Sequence, residues 1–432
     1  MIRPLLAALA LALSACVPTL PPTQAAAPAP RAPVTILVSI DGFRSDYLER
    51  GVTPTLSRLA AQGASAAMRP SFPSKTFPNH YAIVTGLRPD RNGIVANRME
   101  DPRRPGETFT MASDDPFWWN EATPIWVDAE RAGIRTATMF WPGANVAHGA
   151  LADAKAPRNP VGGTRPSDWH HYNEAVTASQ RVDAVIDWLR RPAATRPRFL
   201  TLYFEAVDTA GHDFGPDDTR TTATVAEVDR QIAALVAGLA DLGQPANLVI
   251  VSDHGMAATS SERVVTLHSL ATPGDYRVIE SGPYAALAAV PGREAALEAR
   301  LLGRHPHATC WRKGAIPARF HYGANPRVPA YLCLADSGWL LLDQPPKAPF
   351  MGGNHGYDPA VPEMAALFIA NGPAFQARTL PPFDNVAVHA LLRDLIGLPS
   401  ASGKDGDGAV FRDGLAKCGS AGPAAGTPDR SC

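Results

Sequence analysis

The chain has 432 residues, of which 45% are hydrophobic and 19% are charged, so it can bury a large core and divides into about two or three structural units. Its 40 basic and 41 acidic side chains nearly cancel. The composition therefore offers no broad charged surface to attract a nucleic-acid duplex or a membrane, and an anionic substrate must be held by a local site.

The first residues are typical of an export signal. Arg3 supplies positive charge, the stretch from Leu5 to Leu13 is apolar but too short to span a bilayer, and small residues precede Cys16. The run Leu-Ser-Ala-Cys that ends at Cys16 resembles the bacterial lipoprotein signal, which implies a signal peptide over 1–15 and acylation of the Cys16 thiol. A plain cleaved signal peptide is the alternative. We therefore expect an exported protein, lipid-anchored in the cell envelope at the periplasmic face or in the outer membrane.

Four further cysteines remain, an even number in a chain bound for an oxidising compartment. Proximity favours the pairs Cys310 with Cys333 and Cys418 with Cys432, although three connectivities are possible and buried free thiols are the alternative. None of the four has a metal-binding spacing such as CxxC, so we assign them to no metal.

The folded part begins at Val34. Short apolar, β-branched runs over 34–40, 198–207 and 247–252 predict central parallel strands covered on both faces. Apolar residues at helical spacing predict helices between them, over 53–61, 182–189 and 225–239. Strands that alternate with helices indicate an α/β fold with a mostly parallel central sheet flanked by helices. In such a sheet the ligand site lies beyond the carboxyl ends of the strands.

The remaining segments divide the chain further. Residues 16–33 are rich in Pro and Ala, which suits a tether. Residues 258–342 interrupt the alternation with short strand-like pieces and one helix, which predicts a small inserted α+β subdomain. The catalytic α/β domain then comprises 34–257 and 343–400, and the Gly- and Ala-rich residues 401–432 are expected to form a loosely ordered tail.

Acidic residues and histidines follow each of the three predicted strands. Asp41 follows the first, Asp208 with His212 the second, and Asp253 with His254 the third. Carboxylates and imidazoles are ligands that Zn²⁺ prefers, and cations among three clustered carboxylates would relieve their repulsion. A single aspartate at a strand end is more often a helix cap, so the conjunction of all three carries the hypothesis.

Two further positions complete the candidate site. His355 lies in a glycine-rich loop where backbone can approach a ligand, although alone it would be read as a surface histidine. Thr76 precedes Pro78 where an extended segment gives way to a predicted helix, so its hydroxyl lies near the positive end of the helix dipole. A metal would activate that hydroxyl as a nucleophile, and a simple helix cap is the alternative for Thr76.

Five blocks of sequence resemble the nucleotide pyrophosphatase/phosphodiesterase family of the alkaline phosphatase superfamily. They are Ile40-Asp41-Gly42-Phe43-Arg44, Lys75-Thr76-Phe77-Pro78-Asn79-His80, Asp208-x-x-x-His212, Ser252-Asp253-His254-Gly255-Met256 and Asn354-His355-Gly356. They occur in the family's order over roughly 34–396 and are together highly specific. The resemblance implies an alkaline phosphatase-like fold.

The resemblance also implies a role for each matching residue. One zinc ion would be bound by Asp208, His212 and His355, and the other by Asp41, Asp253, His254 and the oxygen of Thr76. Asn97 would donate to a phosphoryl oxygen. Phe77 and Tyr172 would sandwich a nucleobase, with core packing as the alternative for either ring. Lys75 would meet the substrate phosphate or, equally, be solvated.

The function implied is zinc-dependent hydrolysis of phosphodiester or pyrophosphate bonds, with nucleotides as substrates. Thr76 would attack phosphorus, and a nucleoside 5'-monophosphate held on the threonine oxygen would then be released by water. Two Zn²⁺ against three carboxylates and one alkoxide sum to zero formal charge, so a diester monoanion is not repelled. We expect a small-molecule substrate, a membrane contact through the Cys16 anchor, and no obligate protein partner.

Two rival hypotheses stay open at this point. One is a related hydrolase of the superfamily that acts on phospholipids, phosphomonoesters or phosphonates. The other is a surface binding protein whose zinc ions only stabilise the fold. Other histidines, such as His170 and His171, are expected on the solvated surface because nothing nearby in the sequence completes a coordination shell.

Overall fold

The computed structural model describes residues 31–153 and 156–416. The predicted signal peptide, Cys16, most of the tether, and Cys418 with Cys432 lie outside the described residues. The strands are β1 Val34–Ile40, β2 Ala64–Arg69, β3 Met99–Glu100, β4 Thr108–Phe109, β5 Thr136–Met139, β6 Leu151–Asp153, β7 Ala156–Val161, β8 Asp168–Trp169, β9 Phe199–Phe204, β10 Ala246–Val251, β11 Ala257–Ser260, β12 Val264–Thr266, β13 Tyr276–Glu280, β14 Tyr284–Ala289, β15 Gly303–His305, β16 Ala308–Arg312, β17 Tyr331–Ala335, β18 Leu340–Leu342, β19 Met351–Asn354, β20 Ala366–Asn371, β21 Arg378–Thr379 and β22 Phe383–Asp384.

The helices lie between these strands. They are α1 Pro54–Gln62, α2 Thr76–Thr85, α3 Pro89–Asn92, α4 Pro116–Trp119, α5 Ile125–Arg131, α6 Ala178–Arg190, α7 Ala206–Phe214, α8 Thr219–Asp241, α9 Leu267–Leu270, α10 Glu294–Leu301 and α11 Val388–Ile396. None of the helices in the described part of the chain combines the length and the apolar character needed to cross a bilayer.

The central sheet runs in the order β21-β2-β20-β10-β1-β9-β5-β8, with β22 also paired to β2. Strand β1 lies between β9 and β10 and is parallel to both. Strand β20, which resumes the sheet late in the chain, is antiparallel to β10 and β2. This confirms the predicted mostly parallel α/β sheet.

The two faces of the sheet are covered by separate apolar cores. Ile36 and Val38 of β1 pack with α1, α6 and α8, whereas Leu37 faces the core that contains α2, α5 and α11. Every residue of β1 is buried, as expected of a strand with helices on both sides. The apolar stripe Val182, Val185, Ile186 and Leu189 that predicted α6 is buried as well.

A second sheet, in the order β13-β14-β17-β16-β15, occupies residues 276–335 and has its own apolar core with α10. It falls within the segment for which we predicted an inserted subdomain, and the division of the chain into domains stays a prediction. A disulfide joins Cys310 of β16 to Cys333 of β17, which confirms the first predicted pair.

The predicted tail is not uniformly loose. Residues Ala409–Gly414 form a short 3-10 helix, and Phe411 within it is buried against Phe368 and Phe383. The Gly- and Ala-rich composition of this segment predicted loose order, because composition alone does not show that Phe411 packs into the core.

Candidate active site

The carboxyl ends of β1, β9 and β10 bring the predicted acidic residues together. Asp41 follows β1 directly, and Asp253 lies two residues beyond β10. Asp208 is placed differently from the prediction, because β9 ends at Phe204 and helix α7 begins at Ala206. Asp208 and His212 are therefore one turn apart on α7, with Nε2 of the histidine 3.4 Å from a carboxylate oxygen of the aspartate.

His355 reaches the same place through strand β19, which packs against α7. A side chain on Gly353 would lie 2.5 Å from the carbonyl oxygen of Gly211, and one on Gly352 would lie 2.3 Å from that of His212. Only glycine permits this approach of backbone to backbone. The glycine-rich segment of the sequence therefore places His355 beside α7.

The side chains converge to within contact of one another. The Nε2 of His254 lies 2.9 Å from Asp253, 3.5 Å from Asp41 and 3.3 Å from the hydroxyl of Thr76. Ligand atoms of Asp41, Asp253 and His254 all lie within 4.8 Å of one another, and so do those of Asp208, His254 and His355. We call this cluster, completed by Thr76 and His212, the charged end of the site.

Each of the three imidazoles is oriented by a backbone carbonyl. The Nδ1 contacts are His212 with Gly353 at 2.9 Å, His254 with Gly255 at 2.9 Å and His355 with Ser74 at 2.8 Å. A carbonyl only accepts, so Nδ1 of each ring carries a proton and Nε2 is the nitrogen that the ring presents to the site. All three Nε2 atoms belong to the charged end, as in histidines that ligate a metal.

Three buried carboxylate oxygens in the charged end have no hydrogen-bond partner among the described residues. They are Oδ1 of Asp41, Oδ1 of Asp208 and Oδ2 of Asp253. An uncompensated buried charge is costly, so these oxygens require positively charged partners. Oxygen and nitrogen atoms in this arrangement fit divalent cations such as zinc.

The pKa values of these buried groups show the same unfavourable burial of charge. Burial, together with the charges of Asp253 and Asp208, raises the pKa of Asp41 well above its usual range. Burial likewise raises the pKa of Asp208. For Asp253, burial opposes ionisation, but the nearby His254 and His80 lower its pKa. Burial lowers the pKa of His355 and keeps its ring neutral.

Thr76 is the first residue of α2, and Pro78 lies in its first turn, as predicted. The extended backbone of Lys75 precedes the helix, and the backbone N–H of Phe77 donates to Oδ1 of Asn97 at 3.0 Å. This contact orients the amide of Asn97, whose two N–H groups can donate to a ligand in the cavity.

A cavity of about 630 Å³ opens from the charged end. Thr76, Phe77, Asn97 and Tyr172 all line it, the last with 48% of its surface exposed. The aromatic end of the cavity consists of Phe77, Trp119, Phe140, Trp141, Tyr172 and Tyr203.

Lys75 lies beside the charged end, where its charge partly offsets the burial that raises the pKa of Asp208. Its side chain is buried, with the ammonium 3.4 Å from Oδ1 of Asn354, and it is not among the described residues that line the cavity. Burial lowers the pKa of Lys75. The alternative of a solvated lysine is therefore wrong, and a contact with the substrate phosphate stays a prediction.

Some lining residues were missed. His170 and His171 are exposed, as expected, and they also line the cavity beside Tyr172. Tyr203 donates its hydroxyl proton to Asp41 at 2.7 Å and is partly buried. Tyr203 precedes the last residue of β9, so pairing β9 with β1 would have placed it near Asp41.

A mostly parallel sheet that collects carboxylates, imidazoles and a threonine hydroxyl beyond its strand ends defines a hydrolase of the alkaline phosphatase class. Residues 35–358 match the family described as type I phosphodiesterase / nucleotide pyrophosphatase. The chain belongs to this family, which confirms the predicted resemblance.

Individual relatives agree. The chain is 35% identical over 371 residues to bis(5'-adenosyl)-triphosphatase enpp4 of Xenopus laevis, over 85% of this chain and 78% of that protein. Murine ectonucleotide pyrophosphatase / phosphodiesterase 5, solved in an inactive threonine-to-alanine form in complex with AMP, is 34% identical with a TM-score of 0.81 and covers 89% of this chain and 100% of its own. The human counterpart has a TM-score of 0.82 at 32% identity, with the same coverage.

Proposed function

We propose that this enzyme hydrolyses phosphodiester or pyrophosphate bonds of nucleotides with two zinc ions and Thr76 as nucleophile, and that it releases a nucleoside 5'-monophosphate. The observation that carries the proposal is the meeting of three unpaired carboxylate oxygens and the imidazole Nε2 atoms around one threonine hydroxyl. Without cations this arrangement is costly, and with them it is a phosphoryl-transfer site.

Two groups of side chains would hold the ions. Asp208, His212 and His355 form the first. Asp41, Asp253 and His254, joined by the Thr76 oxygen, form the second. Zinc bound at both places would polarise the phosphoryl oxygens and lower the pKa of the attacking hydroxyl.

The position of Thr76 supports its role as nucleophile. Its hydroxyl lies at the positive end of α2, which stabilises an alkoxide, and 3.3 Å from Nε2 of His254. Attack forms a bond from the threonine oxygen to phosphorus while the bond to the leaving oxygen breaks. The threonine proton leaves with the departing group. Water then attacks the same phosphorus, the bond from phosphorus to the threonine oxygen breaks, and a proton of that water returns to the threonine oxygen, so one water is consumed per bond hydrolysed.

Asn97 and the aromatic end would position the substrate. The amide N–H groups of Asn97 are free to donate to a non-bridging phosphoryl oxygen. Phe77 and Tyr172 offer flat faces to a nucleobase, for which stacking on an aromatic side chain is worth about 1–3 kcal/mol. The murine relative, solved with AMP in an inactive threonine-to-alanine form, supports a nucleotide substrate and a role for a threonine in the reaction.

Substrate comparison tests the reaction class. We expect the zinc-loaded protein to hydrolyse nitrophenyl thymidine monophosphate faster than bis(nitrophenyl) phosphate, and either diester faster than nitrophenyl phosphate. The described cavity lining contains no Lys or Arg to neutralise the second charge of a monoester. A wide preference for the monoester would overturn the diesterase assignment.

Substitution of the nucleophile tests the mechanism. Thr76→Ala should lower turnover on the order of a thousand-fold or more while zinc content stays unchanged. Thr76→Ser, which keeps a hydroxyl, is the matched control and should retain measurable turnover. Wild-type rates in the alanine variant would refute a threonine nucleophile and favour a zinc-stabilised binding protein.

We also propose export with lipid anchoring at Cys16. The disulfide between Cys310 and Cys333 supports an oxidising destination. Labelled palmitate should be incorporated into the wild-type protein and not into Cys16→Ser. Equal labelling, or none in either, would reduce the proposal to a plain secretory signal.

A further inference from the structure

Arg181 is a buried arginine behind the aromatic end of the cavity. It lies on α6 with its side chain only 2% exposed. Its guanidinium forms a bidentate pair with Glu205, the residue just before α7, with one contact at 2.8 Å. A buried arginine requires such partners, because an unpaired buried charge is costly.

The remaining donors of Arg181 join separate parts of the cavity wall. One terminal nitrogen donates to the carbonyl oxygen of Tyr203 at 3.0 Å, and Nε donates to that of Val176 at 2.9 Å. Val176 belongs to the loop that carries Tyr172, and Tyr203 lies near the end of β9. One side chain therefore ties the Tyr172 loop to the central sheet and to the start of α7.

The same guanidinium packs against two rings that line the cavity. Its central carbon lies 4.9 Å from the ring centroid of Phe140 and 5.8 Å from that of Tyr172. The two rings contact each other edge to face at 5.3 Å. Phe140 has a φ of 61°, a conformation that is unfavourable for a residue with a side chain and persists only where its surroundings enforce it.

We propose that Arg181 is a positioning residue that fixes Tyr172 and Phe140 in the cavity wall and thereby sets the affinity for the nucleoside part of the substrate. The inference rests on the proposed function, since it assigns the aromatic end to a nucleoside. Tyr172 itself is half exposed and donates no hydrogen bond among the described residues, so its placement depends on its neighbours.

A lysine could not replace this residue. The guanidinium offers five N–H donors in a fixed plane, which reach Glu205, Tyr203 and Val176 at once while its face covers a ring. An ammonium group has no such plane.

Kinetics with two diesters test the inference. We expect Arg181→Gln to raise the KM for nitrophenyl thymidine monophosphate about ten-fold, with kcat within about two-fold, because a ten-fold ratio corresponds to loss of one stacking contact. The KM for bis(nitrophenyl) phosphate, which has no nucleoside, should stay within about two-fold. Arg190→Gln, an exposed position on the same helix, should change neither.

A double-mutant cycle provides the second readout. In a Tyr172→Ala background, Arg181→Gln should cause a much smaller further loss than in wild type, since only Phe140 remains of the two rings that Arg181 positions. Additive effects would show that Arg181 acts elsewhere and would overturn the proposal. Equal KM increases for both diesters would assign Arg181 to the stability of the fold, and a fall in zinc content would assign it to the charged end. Either result would also overturn the proposal.

A binding measurement distinguishes failure of the Arg181 proposal from failure of the proposed hydrolytic function. If wild type hydrolysed neither diester, the proposed function would fail, and calorimetry with AMP against inorganic phosphate would still test Arg181. Loss of AMP affinity alone in Arg181→Gln would support the positioning role. Unchanged AMP affinity, or no AMP binding by wild type, would overturn it.

Discussion

The two ends of the cavity are built on opposite principles. The charged end is mostly buried, and three of its carboxylate oxygens lack hydrogen-bond partners among the described residues. The aromatic end is partly open and consists of rings held by packing and by Arg181. The charged end is costly for the fold unless it binds cations, whereas the aromatic end is compatible with the fold by itself. Chemistry and substrate choice should therefore respond to different substitutions.

The largest expected effect is at the charged end. Asp253→Asn removes a carboxylate from the cluster, so we expect loss of zinc and a fall in turnover on the order of a thousand-fold, measured by metal analysis and steady-state kinetics. Asp229→Asn is the matched control, because this buried carboxylate accepts from the backbone of Thr55 and Leu56 far from the site. The control should lose stability and keep its zinc. Full zinc content in Asp253→Asn would contradict the ligand assignment.

Removal of metal by a chelator should reverse the sign of the stability change that a second substitution, at Asp41, causes. The raised pKa of Asp41 means that its ionised form opposes folding when no cation is present. In chelated protein Asp41→Asn should therefore raise the free energy of unfolding, by up to about 3 kcal/mol, and the gain should grow as pH rises from about 4. In zinc-loaded protein the same change should destabilise. Denaturant unfolding at several pH values measures the free energy of unfolding of both the chelated and the zinc-loaded protein. A stability change of the same sign in both states would contradict this prediction.

A buried histidine behind the aromatic end predicts acid sensitivity. His148 donates to the carbonyl of Gly143, which lines the cavity, and burial lowers the pKa of His148 to about 4. The unfolded chain takes up this proton near pH 6.5, so the stability due to neutral His148 is present above that pH and is lost as pH falls toward 4. Between pH 7 and 5 we expect a loss of about 2 kcal/mol, absent in His148→Gln. An unchanged difference between the two proteins across that range would contradict this.

The smallest effect separates binding from chemistry. Phe77→Leu keeps most of the buried volume but removes the aromatic face, so the KM for a nitrophenyl nucleotide should rise about five-fold with kcat nearly constant. The KM for bis(nitrophenyl) phosphate is the internal control. A fall in kcat for both substrates would mean that Phe77 acts through its neighbour Thr76 instead.

Much of the charged end could be predicted because its residues follow continuous apolar strands. Asp41 and Asp253 are fixed by where β1 and β10 end, and parallel neighbours place those ends together. Asp208 was harder, because Ala206 and Val207 extend the apolar run of β9 although they already belong to α7. A short apolar run does not distinguish the end of a strand from the first turn of a helix.

The aromatic end could be predicted only in part. Phe77 adjoins Thr76 and shares its block of sequence. Trp119 ends the short helix α4, whereas Phe140 and Trp141 lie in the loop after β5, so their convergence depends on tertiary structure. Arg181 reads in the sequence as an ordinary charged position on a helix, and only the fold shows that it is buried. Loop residues of this kind have no periodicity to mark them.

The glycine pair beside α7 determines how His212 and His355 are spaced. Gly352 and Gly353 lie against the carbonyls of His212 and Gly211 with no intervening side chain, so main-chain thickness alone sets the gap between two segments 140 residues apart in the chain. A glycine backbone has no rotamers, so this spacing does not change when the surrounding side chains change. The spacing of the proposed ligands is thereby independent of substitutions in the cavity wall, so that substrate preference could change while the proposed reaction is preserved.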